Sequence, residues 1–547
     1  MGGRSKLGVL GLVLGLLAAG TVSATAAADP LVSAGKTTVA SSVEAAGLEP
    51  GKAVDGNPST RWASLEGRDP EWIRVDLGSV HSVSRVRLNW ETAYARAYRV
   101  QTSLDGSAWT DVYSTSAGDG GIDDLTVSGS GRYVRVYGTA RATQWGYSLW
   151  ELEVYGAGDG TPTPTVGVPF GSRQQPYAQG VLRPSGSTST LDAAVVDYYQ
   201  RWKSAFLRQN CGNGWYQVIS PDADHPYVAE AQGYGMVVVA TMAGADPDAR
   251  RIFDGLVKWK IDHPSSINPD LLAAEQDTSC RSVNGGDAAT DGDLDVAYGL
   301  LLADRQWGSA GTYNYKQLAI RHINAIKASE VNPSTNLLKL GDWTGAGDRY
   351  YYLSRSSDWM ADHFRAFRKA TGDSAWDTIR SAHQNLVTRL QQDYAPNTGL
   401  LPDFVENTNS SPRPASGEVL ESPNDGQYYW NACRVPWRIG ADAVTSGDSS
   451  SLSAARKLNA WVKAKTGGNP ANIGLGYRLD GTQISGGSAA AFFAPFAVVA
   501  TTDPGSQAWL DALWNRMLQT PIDSSSYFSA SIQLQVMITV TGNHWVP

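Results

Sequence analysis

Cysteine and histidine are scarce in this sequence, 3 and 7 among 547 residues. No Cys/His cluster has zinc-site spacing and no H-E-x-x-H occurs, which argues against the common zinc-hydrolase patterns. No G-x-S-x-G nucleophile elbow is present, so a serine-hydrolase reading fails. The formal net charge is -8 and no basic run tracks a phosphate backbone, which argues against nucleic acid as a partner. After the apolar stretch from Leu7 to about Ala19 no second long apolar segment follows, so no membrane span is expected. No fixed-period repeat is visible. With so few cysteines, one bridge at most is expected. Cys211 and Cys280 lie in loop-like Gly/Asn/Ser contexts and are the better-placed pair. Cys433 lies in an apparently helical stretch, Tyr428 to Ile439, and reads as a buried free thiol.

What is abundant is tryptophan: 19 residues, in a chain that is 10% aromatic. Tryptophan faces stack on the apolar faces of pyranose rings, although tryptophan fills cores as readily. The length favours two or more domains. Arg4 and Lys6, the apolar stretch, and the small residues Thr25 to Ala28 read as an export signal over residues 1–28, implying a secreted, extracellular protein. Residues 30–156 alternate apolar and polar side chains between Gly, Ser, Asp and Asn turns, which suits an antiparallel β-sandwich. A Thr/Pro segment, 157–168, reads as a stiff linker. From 169 to 547 helical periodicity takes over: Val195, Tyr198, Tyr199, Trp202 and Phe206 are one such face. Many helices in this length suggest a helical toroid or a solenoid.

In the β region, the run Ala53 to Trp62 (A-V-D-G-N-P-S-T-R-W) offers short oxygen side chains and carbonyls in a tight Gly turn, which suits a hard cation or a plain Asx turn. The closing segment Ser148 to Gly156 alternates, which predicts Trp150, Leu152 and Val154 inward and Glu151 near the cation loop. These two runs, with Trp72 to Gly78 between them, resemble the discoidin (F5/8 type C) fold, a jelly-roll sandwich also found as carbohydrate-binding module family 32. The resemblance implies a structural calcium held by Asp55, Asn57, Thr60 and Glu151 with the Lys52 carbonyl. It also implies sugar contacts on loops at one end, where Glu44, Arg61 and Glu91, with Glu66 nearby, match polar positions of chitosan-binding modules. A glucosamine ammonium is a point cation, and carboxylates are its natural partners.

In the helical region the carboxylates are many. Glycoside hydrolysis needs one as a proton donor and a second as base or nucleophile. Glu230 sits just before the apolar run Met236 to Ala243, among Tyr227 and Tyr234. A carboxyl there either serves the helix dipole or, if buried, is raised in pKa as a general acid requires. The run Ala289-Thr290-Asp291-Gly292-Asp293-Leu294-Asp295 alternates three acids at the start of an apolar helical face, without the EF-hand pattern. This run, with Ala297 and Trp307, resembles the signature of glycoside hydrolase family 8, as do Gly341-Asp342-Trp343, Asn431 to Arg438 and Thr541 to Trp545. The resemblance implies an all-α (α/α)6 barrel, an endo-acting inverting mechanism on β-1,4-linked polysaccharide and no catalytic cofactor. It makes Glu230 the proton donor and Asp291 the central acid. Trp343 becomes a stacking platform and Arg434 a neighbour of the attacking water, with Tyr234 also set at the substrate.

The base is the departure. One branch of that family has an Asp where this chain has Asn431, and an amide cannot accept the proton at neutral pH. In another branch, chitosanases with some glucanase activity, a Glu on an inserted loop serves instead. Residues 406–427 supply such a loop, with Glu406, Glu418, Glu421 and Asp425. Glu421 has the best spacing to Tyr428 and Asn431; Glu418 is the reserve. The expectation is a secreted, monomeric chitosanase, with an endo-β-1,4- or β-1,3-1,4-glucanase as the alternative and a non-catalytic binding protein third.

Overall fold

Ile73, Val75 and Leu77 alternate with Trp72, Arg74 and Asp76, a period of two that buries one face of a strand. The computed structural model describes residues 30–104, 106–158 and 166–547, and in it this segment opens a 20-residue strand. The export segment at 1–28 lies outside the described residues. The chain divides into two compact units, Met1–Thr163 and Pro164–Pro547.

The first unit contains β1 (Thr37–Ala40), β2 (Trp62–Ala63), β3 (Glu71–Trp90), β4 (Ala95–Ser103), β5 (Thr110–Thr115), β6 (Ile122–Arg141) and β7 (Ser148–Gly158). All pairings are antiparallel, in the order β2-β7-β3-β6-β4-β5, with β1 also on β3. Inward side chains of β3, β6 and β7, among them Val86, Leu88, Val134, Leu152 and Val154, form the core. The expected alternation fails at one place. Asn89 pairs with Glu151 and Trp90 with Leu149, so Trp150 is the extra residue of a bulge. Leu149, not Trp150, turns inward, and Glu151 is buried beside Leu152. Trp150 is left half-exposed with the Arg61 guanidinium 6.0 Å from its ring centre.

The second unit is helical: α1 (Thr188–Phe206), α2 (Ala229–Thr241), α3 (Ala249–Asp262), α4 (Thr290–Trp307), α5 (Tyr315–Ser329), α6 (Ala361–Thr371), α7 (Ala375–Asp393), α8 (Val435–Ser446), α9 (Ser449–Thr466), α10 (Ala490–Phe493), α11 (Pro495–Ala500), α12 (Gln507–Gln519) and α13 (Tyr527–Val540). Neighbour contacts run α2–α4–α6–α8–α11–α13 and return from α13 to α2. Helices α3, α5, α7, α9, α12 and α1 pack on the outside of that ring. The sequence sorts the two layers. Helices α2 and α13 carry no one-sided apolar stripe and are almost wholly buried, as inner helices must be. Helix α3 is one-sided: Ile252, Phe253, Leu256 and Trp259 face in, and Arg251 is exposed. Within the expected linker, Gly167 and Val168 already dock on the helical unit through Gln306, and β7 continues to Gly158. Residues 159–165 lie outside the described residues. Cys211 and Cys280 are bridged, and Cys433 is free and buried. Among the described residues, no helix is long and apolar enough to cross a membrane.

Candidate active site

Helices α2 and α4 lie against each other unusually closely, and glycines permit it. A Cβ on Gly292 would sit 2.5 Å from the Ala229 backbone, one on Gly233 2.8 Å from the Gly292 carbonyl, and one on Gly299 2.7 Å from Met236. The N-terminal ends of the two helices therefore meet, and the second residue of each is a carboxylate: Glu230 on α2, Asp291 on α4. Both line a cavity of about 570 Å3. The other acids of the alternating run turn away. Asp293 accepts the Leu272 N–H (3.0 Å) and lies 2.8 Å from His322 Nε2, and Asp295 is held by Arg438 (2.5 Å) and His363 (2.8 Å).

Arg434 ties the site together. Its Nη1 donates to Glu230 and, at 3.1 Å, to Asp291 Oδ2; its Nη2 donates to Ser357 Oγ (2.8 Å) and Asn431 Oδ1 (3.0 Å). The two carboxylates share this cation yet titrate apart. Burial pushes Glu230 up to about 7, against the pull of Arg434 and a hydrogen bond from the Tyr527 hydroxyl, with the negative charge of Asp291 adding to the rise. Asp291 is buried too, but it lies between Arg355 (3.1 Å) and Arg434, and the two guanidinium groups hold it down at about 2. One carboxyl is thus available as an acid at neutral pH while its neighbour stays ionised.

The opposite wall comes from a loop. Glu421 lines the same cavity with 44% of its side chain exposed. The Asn431 amide donates to its Oε2 at 2.7 Å, and Arg355 Nη2 lies 3.4 Å from its Oε1. Arg355 stands on a two-residue strand (Ser354–Arg355) paired to Phe404–Glu406. Asp403, just before that strand, accepts from the N–H groups of Tyr429 (2.9 Å) and Ala432 (2.7 Å), and so fixes the turn that carries Asn431 and Arg434. Glu230 and Glu421 are joined through intervening groups: by Arg434 and Asn431, and by Arg434, Asp291 and Arg355. Trp430 and Phe528 supply aromatic surface to the cavity, with ring centres 6.2 Å apart.

The remaining expected positions fall elsewhere. Tyr234 is fully buried behind Arg434 (3.4 Å), edge-on to Trp437. Trp343 does not line this cavity; it is half-buried, edge-on to Tyr350 and packed with Leu340, Leu353 and Phe404. Glu418 is exposed outside the cavity, Glu406 pairs with Arg413, and Asp425 is fully buried. Tyr527, Arg355, Trp430 and Phe528 also line the cavity, and no local sequence pattern marks them.

In the sheet unit, Arg61 Nη1 donates to Ser148 Oγ (2.7 Å), the Glu91 N–H donates to the Ser148 carbonyl (3.0 Å), and the Glu44 N–H to Ala63 O (2.9 Å), opposite Ser148 in the β2–β7 pair. These three side chains therefore emerge around one end of β2 and β7. At the Gly turn, Thr60 Oγ1 donates to Asp55 (2.9 Å), whose Oδ2 lies 3.7 Å from Lys52 Nζ. The Asn57 N–H donates to Asp55 Oδ1 (3.0 Å). Glu151 Oε1 is buried without a hydrogen-bond partner, and burial followed by the charge of Asp55 pushes Glu151 up to about 7. Two mutually repelling acids, one of them with an orphaned oxygen, form a donor set that a divalent cation would complete.

Residues 183–542 match the family model for glycosyl hydrolases family 8, and residues 37–152 match that for the F5/8 type C domain. A β-glucanase of Niallia circulans is 42% identical over 370 residues, covering 68% of this chain and 89% of that protein. An endoglucanase of Bacillus sp. (strain KSM-330) is 40% identical over 385 residues, covering 68% and 81%. The solved apo structure of a β-1,3-1,4-glucanase from Paenibacillus sp. X4 superposes with a TM-score of 0.67 at 42% identity, covering 70% of this chain and all of that one.

Proposed function

The chain belongs to glycosyl hydrolases family 8 and carries an F5/8 type C domain, and on that premise we propose that it is a secreted, inverting endo-β-glucanase with Glu230 as acid and Glu421 as base. The observation that carries the reading is that both carboxylates line one cavity and are joined there through intervening side chains, Arg434 and Asn431 among them. Inverting enzymes hold the pair about 6.5–9.5 Å apart so that a water fits between base and sugar. In the reaction Glu421 takes a proton from that water as its oxygen bonds to the anomeric carbon. The glycosidic C–O bond breaks, and the Glu230 proton goes to the leaving oxygen. Asp291, kept ionised, accepts hydrogen bonds from the distorted sugar, and Trp430 with Phe528 offers apolar surface to a ring. The 40–42% identical relatives are named for glucan hydrolysis, which moves the substrate expectation from chitosan to β-glucan.

One observation favours chitosan as a second substrate. Asp222, Glu230, Glu275, Asp291 and Glu421 line the cavity against Arg355 and Arg434 alone, and both arginines are already engaged by carboxylates. Reducing-end release from barley β-glucan, carboxymethyl cellulose and chitosan, measured in parallel on the full chain, tests the choice. The glucans are expected to be cleaved faster; chitosan cleaved alone would reverse the order, and no cleavage of any would remove the enzymatic reading.

For the sheet unit we propose a structural calcium held by Asp55, Asn57, Thr60 and Glu151 with the Lys52 carbonyl, and polysaccharide contact through Glu44, Arg61 and Glu91. The cation would supply charge neutralisation only. The titration gives a signed test. Glu151 is raised in the fold, so without cation its contribution to stability is full below about 4.5 and is lost as pH rises through about 7. In EDTA the sheet unit should melt lower at pH 7 than at pH 5, and calcium should abolish the difference. A melting profile indifferent to calcium at both pH values would contradict the assignment.

A further inference from the structure

A base on a loop needs something to hold the loop, and the structure contains a group suited to that work. Asp425 is fully buried and has no access to the cavity. Its Oδ2 accepts the backbone N–H groups of Val419 (2.9 Å), Leu420 (2.8 Å) and Glu421 (3.1 Å), and its Oδ1 accepts that of Ser422 (2.8 Å). Four consecutive amides thus converge on one carboxylate, and the Glu421 amide is among them. The Asp425 carbonyl in turn accepts the Phe404 N–H at 2.8 Å. Phe404 pairs with Arg355, whose guanidinium reaches Glu421 Oε1. The backbone of Glu421 and one of the two donors to its side chain are therefore referred to the same short strand.

We propose that Asp425 is the positioning residue of the general base: it folds residues 419–422 around its carboxylate and so delivers Glu421 to the water. This rests on the reading of Glu421 as base. A neutral amide at 425 would turn an N–H toward at least one of the four donors, leaving it unsatisfied in a buried place. The resulting displacement of Glu421 need not be large, since about 1 Å of misplacement costs on the order of 100-fold in rate.

The test uses azide, which attacks the anomeric carbon without needing a base. Its nitrogen bonds to that carbon, the glycosidic C–O bond breaks, Glu230 protonates the leaving oxygen, and the product is a glycosyl azide. The full chain carrying Glu421→Ala, Asp425→Asn or Asp425→Glu is assayed on barley β-glucan with and without sodium azide, and its melting temperature is recorded. Asp425→Asn is expected to lose about 100-fold in kcat with KM little changed, and azide should recover the loss, as it should for Glu421→Ala. A fold merely weakened by the substitution would not respond to azide. If Asp425→Asn does not fold, Asp425→Glu, which keeps the charge but shifts it by one methylene, is judged by the same rescue. Full activity in the folded Asp425 variant, or a loss that azide leaves untouched while Glu421→Ala is rescued, would overturn the proposal. Failure of azide to rescue Glu421→Ala would instead remove Glu421 as the base.

Discussion

Glu230 and Glu421 are the same functional group in two settings, and the settings suit them to different work. Glu230 stands on a buried helix end, with 15% of its side chain open to the cavity, and burial raises it to about 7. Glu421 stands on a loop, 44% exposed, with its carboxylate accepting from an amide and facing a guanidinium. The first setting favours a carboxyl that holds its proton until a leaving oxygen takes it. The second favours a carboxylate that meets water and accepts from it. Asp291 shows that burial alone does not decide this. It is deeper than Glu230, but the two arginines beside it keep it ionised.

The contrast can be broken most severely at the acid. Glu230→Gln should lower kcat on β-glucan by about 1,000-fold, within the range expected for a lost general acid. Retention of wild-type activity would end the assignment. On substrates with a good leaving group, which need no protonation, the loss should be much smaller. Glu421→Gln should cost about 100-fold or more on all substrates alike, because the water must still be activated. A loss that vanished with a good leaving group would exchange the two roles.

The Tyr527 hydroxyl donates to Glu230 and so favours its ionised form. Because the working acid must be protonated, activity should fall as pH rises through about 7. Tyr527→Phe removes a hydrogen bond to the carboxylate, so Glu230 should hold its proton to higher pH. The alkaline limb of kcat/KM should then move upward by about one pH unit, the equivalent of one charge-assisted hydrogen bond. An unmoved or lowered limb would mean that another group sets it.

The place of Glu230 and Asp291 at one cavity is legible in the sequence, and the reason is local. Glu230 and Asp291 each stand one residue inside a helix whose glycines and small side chains announce close packing, so a few adjacent letters carry the information. Tyr527 lies 297 residues from Glu230 and reaches it only through the closure of α13 onto α2. Arg355 reaches Glu421 across 66 residues by a two-residue strand pairing too short to leave a pattern. On the loop, spacing picked out Glu421, but nothing distinguished Asp425 as an internal anchor, because four backbone donors have no sequence signature. In the sheet unit, alternation predicted Trp150 inward. One bulge reversed it, since an extra residue flips the facing of its neighbours along the strand without changing composition.

A base at Glu421 activates water rather than bonding to the sugar, and stereochemistry reads that directly. Proton NMR of a soluble β-glucan oligosaccharide, recorded in the first moments of hydrolysis before mutarotation, shows which anomer forms first. Inversion from a β-linkage yields the α-anomer, the result expected here. The β-anomer appearing first would mean a covalent intermediate and retention, and would contradict the division of labour between the two carboxylates.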